Sequence, residues 1–140
     1  VKPEAKRTGV ETTAERRQVK YTPAGPIDVE SFLALGSATN MGAEVLAGKP
    51  EAWVRVDFSR DGMSAGLFMG SPGKVRYTFP STEHATIVEG EVTFTDEAGN
   101  SETYRPGDSY LIQQGTLMTV ASASRFVKSF FNYKQNITPG

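Results

Sequence analysis

The sequence predicts an all-β domain, a sandwich or barrel of short strands. About nine short runs rich in Val, Ile, Thr, Tyr and Phe recur at regular intervals along the chain. Residues with turn chemistry stand between them. No helical crossover pattern separates the strands, which argues against a parallel α/β sheet.

The elements follow in chain order. Residues 1–28 form a polar arm of mixed charge, with Pro3, Pro23, Gly25 and Pro26. Within it, 14–20 is compatible with a helical turn, but no apolar stripe supports a lasting helix. Val19 and Tyr21 alternate with polar residues, so this stretch suits an extended arm or a strand that pairs with a second subunit. The domain proper is expected over 29–134, with a tail over 135–140. Residues 29–35 read as a short helix or turn leading into it. Lys49 and Pro50 break the chain before the first clear strand, 52–58, where Trp53, Arg55 and Asp57 share one face. Further strands are expected at 65–69, 74–79, 83–88, 91–96, 101–104, 109–112, 116–121 and 125–133. Gly90, Gly107 and Gly115 stand at sharp bends between them, where glycine takes positive φ without strain.

Composition bounds the function. A chain of 140 residues fits one domain. Its net charge of −1 supplies no basic field for nucleic acid. It has no cysteine, so disulfides, thiolate metal sites and a cysteine nucleophile are excluded. No apolar run reaches the roughly 18–20 residues of a membrane span, and no signal-peptide core is visible. The cytoplasm is the default expectation. No phosphate-binding glycine loop, nucleophile elbow or Ser/His/Asp set is present.

Two spaced motifs carry more. Gly70, Arg76, Thr78, Glu83 and Gly90 lie at the intervals of a glycine, five residues, His-x-His, four residues, Glu, six residues and glycine. Gly107, Gln113, Gly115, Met118 and Ser122 lie at those of a glycine, five residues, Pro-x-Gly, two residues, His, three residues and Asn. In these spacings the chain resembles the cupin superfamily. The segments EHATIVEG (83–90) and RPGDS (105–109), with Lys128 and Phe130 in the last strand, are similar to the subfamily of ureidoglycine aminohydrolases and the ethanolamine-utilisation cupin. The resemblance implies an RmlC-like double-stranded β-helix, or jelly-roll barrel, and a homodimer.

It also implies where a metal would sit, and the residues there are unsuited to one. The four ligand positions hold Arg76, Thr78, Glu83 and Met118. Arginine is permanently charged and has no acceptor. Threonine and methionine are poor ligands for zinc, manganese or iron. No metal and no cofactor is therefore expected. His84, the single histidine, follows Glu83 directly and should point to the opposite face of its strand.

If Arg76, Thr78, Glu83 and Met118 face the interior, three functions are open. The barrel binds a small polar or anionic metabolite without a metal, with Arg76 receiving the anion. It is instead a small-molecule enzyme of the aminohydrolase, lyase or isomerase type, with Glu83 as general base. Or it is a structural or interaction subunit, its barrel filled by an Arg76–Glu83 pair. Tyr77 and Phe79, out of phase with Arg76, are expected between sheets or at a subunit contact. Tyr104, Tyr110, Phe126, Phe130 and Phe131 are expected in the core, and Lys128 in solvent, with the barrel mouth as its alternative place.

Overall fold

A computed structural model of the chain describes Thr12 and residues 17–136. Two antiparallel sheets lie face to face. One has six strands in the order β1-β3-β4-β11-β6-β9, the other five in the order β2-β5-β10-β7-β8. The strands are β1 (Leu33–Ser37), β2 (Glu44–Gly48), β3 (Glu51–Arg60), β4 (Met63–Gly70), β5 (Gly73–Thr78), β6 (Thr82–Glu89), β7 (Val92–Asp96), β8 (Ser101–Tyr104), β9 (Ser109–Ile112), β10 (Leu117–Ser122) and β11 (Phe126–Tyr133). This is the expected all-β cupin architecture.

The nine anticipated strands are all present, and two more precede them. The stretch read as a helix or turn is a 3-10 turn only over Val29–Ser31, after which the chain runs into β1. Asp28 caps that turn by accepting from the Glu30 amide. A second 3-10 turn, Ala38–Met41, leads to β2.

Alternation along each strand divides its residues between two apolar layers. Between the sheets lie Phe79, Ala85, Ile87, Val92, Phe94, Tyr110, Ile112, Phe126 and Phe130. A second layer covers the outer face of the six-stranded sheet, where Leu67, Met69, Val88 and Val127 meet Tyr21, Ile27, Phe32 and Trp53. The arm thus packs on its own sheet. The Ala24 amide donates to the Val88 carbonyl at 2.7 Å, and Thr12 to that of Asp57 at 2.7 Å.

Asp57 anchors this strap. It is 1% exposed, and Arg55 reaches it with two hydrogen bonds of 3.0 Å. The Tyr21 hydroxyl donates to it at 2.7 Å. The strand face shared by Trp53, Arg55 and Asp57 is therefore covered by the arm. Residues 14–16 of the anticipated helical turn lie outside the described residues, and 17–20 form no helix. Phe131, expected in the core, points outward and is exposed. Gly90 turns β6 into β7 with φ of 77°, and a Cβ there would fall on the Arg125 carbonyl.

Candidate functional site

Between the sheets lies a cavity of about 230 Å³. Phe68, Tyr77, Phe79, Phe94, Phe126 and Phe130 supply its aromatic walls. Of its lining residues Glu51 is exposed and marks an open end beside the turn that joins β4 to β5.

Three polar side chains meet on the inner face. Glu83 is placed there by the same alternation on β6 that buries Ala85 and Ile87. Tyr110 comes from β9, next to β6 in the sheet, and Lys128 from β11 on its other side. The Lys128 Nζ donates to Glu83 Oε2 at 2.7 Å and to the Tyr110 hydroxyl at 2.7 Å. The Tyr110 hydroxyl in turn donates to Glu83 Oε2. Side-chain exposure is 10% for Lys128 and 9% for Glu83, so water screens the pair little. The ammonium also lies 5.1, 5.8 and 5.5 Å from the ring centres of Phe68, Phe79 and Tyr110, which adds cation–π attraction. Burial, then the Glu83 charge, pushes the Tyr110 phenol well above its ordinary value. Tyr77 is raised for the same two reasons in the same order.

The group is not closed on itself. Glu83 Oε1 accepts no hydrogen bond among the described residues, and Glu83 lines the cavity. Across the strand pair stands Asn132, opposite Glu83 and also lining the cavity. Its amide oxygen is buried without a partner among the described residues.

The anticipated site residues are not brought together. Glu83 faces the cavity as expected. Arg76 and Thr78 do not: β5 turns Val75 and Tyr77 inward, and both polar side chains project outward. Arg76 pairs there with Glu44 at 3.3 Å, both half-exposed or more. The physical reason is the alternation Val75, Tyr77, Phe79, whose burial fixes the register of the strand. Tyr77 and Phe79, expected between the sheets or at a subunit contact, lie between the sheets and line the cavity. Met118 packs against the inner core near Tyr77 but does not line the cavity. His84 is exposed on the outer face, as its place after Glu83 implies.

Lys128, expected in solvent, is the cation of the site. Its sequence signal was its place between Phe126 and Phe130, two residues away on either side and on one strand face. The role of Tyr110 had no comparable signal, since a buried tyrosine reads first as core.

The metal that the fold family implies does not fit these residues. Two of its ligand positions, Arg76 and Thr78, are outside the barrel. Glu83 is engaged by an ammonium, which repels a cation. Among the described residues no three His, Cys, Asp or Glu side chains stand close enough to hold a metal ion.

Comparison with known proteins agrees with the architecture. No curated protein sequence matches the chain. Three solved structures are similar in fold. One, ascribed to ethanolamine utilization (EutQ, Salmonella typhimurium), has a TM-score of 0.55 at 17% identity over 61% of this chain and 72% of that one. The EutQ protein of Clostridium difficile gives 0.56 at 11% over 63% and 71%. A protein of unknown function from Pseudomonas syringae pv. tomato gives 0.65 at 17% over 72% of this chain and 43% of its own. The model of the EutQ-like cupin domain matches residues 59–130, which include Glu83, Tyr110 and Lys128. The chain therefore belongs to the EutQ-like cupin family.

Proposed function

We propose that the barrel binds a small, largely apolar molecule in its aromatic cavity, without a metal. The observation that carries this reading is Glu83 Oε1, a carboxylate oxygen without a partner among the described residues on a side chain that lines the cavity. Buried polar atoms are nearly always satisfied, so an open one in a lined cavity marks a place for a ligand or water. A cavity of about 230 Å³ has room for a ring with a short substituent. A barrel filled only by its own side chains would leave no such space.

The anionic ligand anticipated from Arg76 loses its clamp, because Arg76 is outside. The charged residues of the lining are Glu51, Glu83 and Lys128, two carboxylates and one ammonium, which disfavour an anion. Thr78 leaves the binding set because it too projects outward, and Met118 because it packs in the core without lining the cavity.

Proton transfer by Glu83 is a second reading, favoured by a cavity-lining carboxylate whose Oε1 has no partner among the described residues while Lys128 and Tyr110 hold Oε2. Glu83→Gln keeps an acceptor and removes the base, so it separates binding from catalysis. A homodimer remains part of the proposal: Leu111, Phe131 and Tyr133 are exposed on the half of the six-stranded sheet that the arm leaves open. Sedimentation of the purified protein tests it, and a monomer at all concentrations would remove it.

The binding reading is tested by thermal unfolding of chelator-treated protein with benzamide as probe. A saturable rise in Tm is expected, and Val120→Trp, which fills the cavity, should abolish it. No rise in the parent protein would overturn the reading.

A further inference from the structure

We infer that the cavity selects ligands whose polar head donates hydrogen bonds, such as an unsubstituted amide or a hydroxyl, over heads that only accept. This inference rests on the binding reading above and specifies the ligand for that same site.

The polar atoms on the inner face are unequal in what they lack. Lys128 already spends two of its three N–H donors on Glu83 and Tyr110. The Tyr110 proton is spent on Glu83. Tyr77 can give or take a hydrogen bond and so does not discriminate. Glu83 Oε1 can only accept, and it has no partner among the described residues. Glu83 is 7% exposed, so a ligand that enters displaces what water reaches it. Asn132, across the strand pair, carries both an amide acceptor and amide donors, none with a partner among the described residues, and so does not discriminate either.

A head with N–H or O–H restores the lost hydrogen bond to Oε1. A ketone, ether or carboxylate sets lone pairs against a carboxylate and leaves that oxygen desolvated and unpaired. Sites built to accept from a ligand reject the analogue without the donor far more strongly than they reject a change of size. The carboxylate case is worse still, because Glu51 adds a second negative charge at the open end.

The test uses two probes of almost equal shape, benzamide and acetophenone, each titrated calorimetrically into the full chain. Benzamide is expected to bind at least about ten-fold more tightly, although acetophenone is the more apolar molecule. In the combined variant Glu83→Leu, Tyr110→Phe, Lys128→Met the preference should reverse, because the acceptor is gone and only apolar wall remains. Equal or tighter binding of acetophenone by the parent protein would overturn the donor rule while leaving the cavity reading standing. Binding of neither probe would remove both.

Discussion

Replacing Lys128 by methionine removes the ammonium and leaves its volume largely filled. The loss follows from the surroundings. Both members of the pair are about nine-tenths buried, with side-chain exposures of 10% and 9%. The variant strands Glu83 as a buried carboxylate with only the Tyr110 hydroxyl as partner. Removing one member of a buried pair costs about 3–5 kcal/mol. In a domain of this size that lowers Tm by roughly 10–15 °C. Glu83→Leu together with Lys128→Met removes both charges but leaves the Tyr110 hydroxyl without an acceptor. Adding Tyr110→Phe removes that deficit too. The triple variant is therefore expected within about 1–2 kcal/mol of the parent, because well-packed apolar groups replace buried ion pairs at little cost. Urea unfolding followed by Trp53 fluorescence measures all of these. A Lys128→Met variant as stable as the triple variant would refute the reasoning, since it would mean that the pair is solvated and not buried.

Four further outcomes are expected. Arg76→Ala should leave both stability and benzamide binding unchanged, within about 0.5 kcal/mol, because exposed ion pairs contribute little; loss of binding would return Arg76 to the site. Tyr21→Phe removes the hydroxyl donated to buried Asp57 and should cost about 1.5–3 kcal/mol in chemical unfolding, with no loss if the arm is not seated on the sheet. Stability should fall as pH rises above about 10, because the phenols of Tyr110, Tyr77 and Tyr21 are all raised in the folded chain. Such groups stabilise fully below their unfolded pKa and lose that contribution as pH climbs toward the folded one, so tyrosinate absorbance should appear together with unfolding; ionisation of all tyrosines in a still folded chain would contradict it. Gly90→Ala should destabilise by several kcal/mol on the order expected for backbone strain plus a clash, since its φ is positive and a Cβ would meet the Arg125 carbonyl; circular dichroism melts decide this.

The sequence made the fold legible because alternation and turn chemistry are local. From β3 onward the strands announced themselves through β-branched and aromatic runs. β1 and β2 did not, since LALGS and EVLAG carry small residues and glycines that are weak strand formers in isolation. They are held as strands by pairing with β3 and β5.

The site was legible in one residue, Glu83, where motif spacing and strand alternation agree. On β5 they disagree, and alternation prevails. Burying Val75, Tyr77 and Phe79 stabilises the strand by about 1.5–3 kcal/mol for each fully buried side chain, whereas burying Arg76 carries a desolvation cost. A motif interval conveys the position of a residue along the chain but not which face of a strand it occupies. Lys128 was obscured for a different reason. β11 is covered on one face by the core, and on the other Val127 lies in the layer under the arm while Phe131 is exposed, so its sequence FVKSFFNY carries apolar residues on both faces and alternation assigns no inside. Pairing Lys128 with Glu83 across β6 and β11 requires the sheet order, which no local pattern supplies.

The central claim is that Glu83 belongs to Lys128 and to a ligand, and not to a metal. The most direct measurement is a crystal structure of the protein incubated with benzamide and zinc together. The expected result is the ring between Phe68, Tyr77 and Phe126, the amide within hydrogen-bond distance of Glu83 Oε1, and Lys128 still on Oε2. Zinc coordinated by Glu83 with Lys128 swung away would contradict the account.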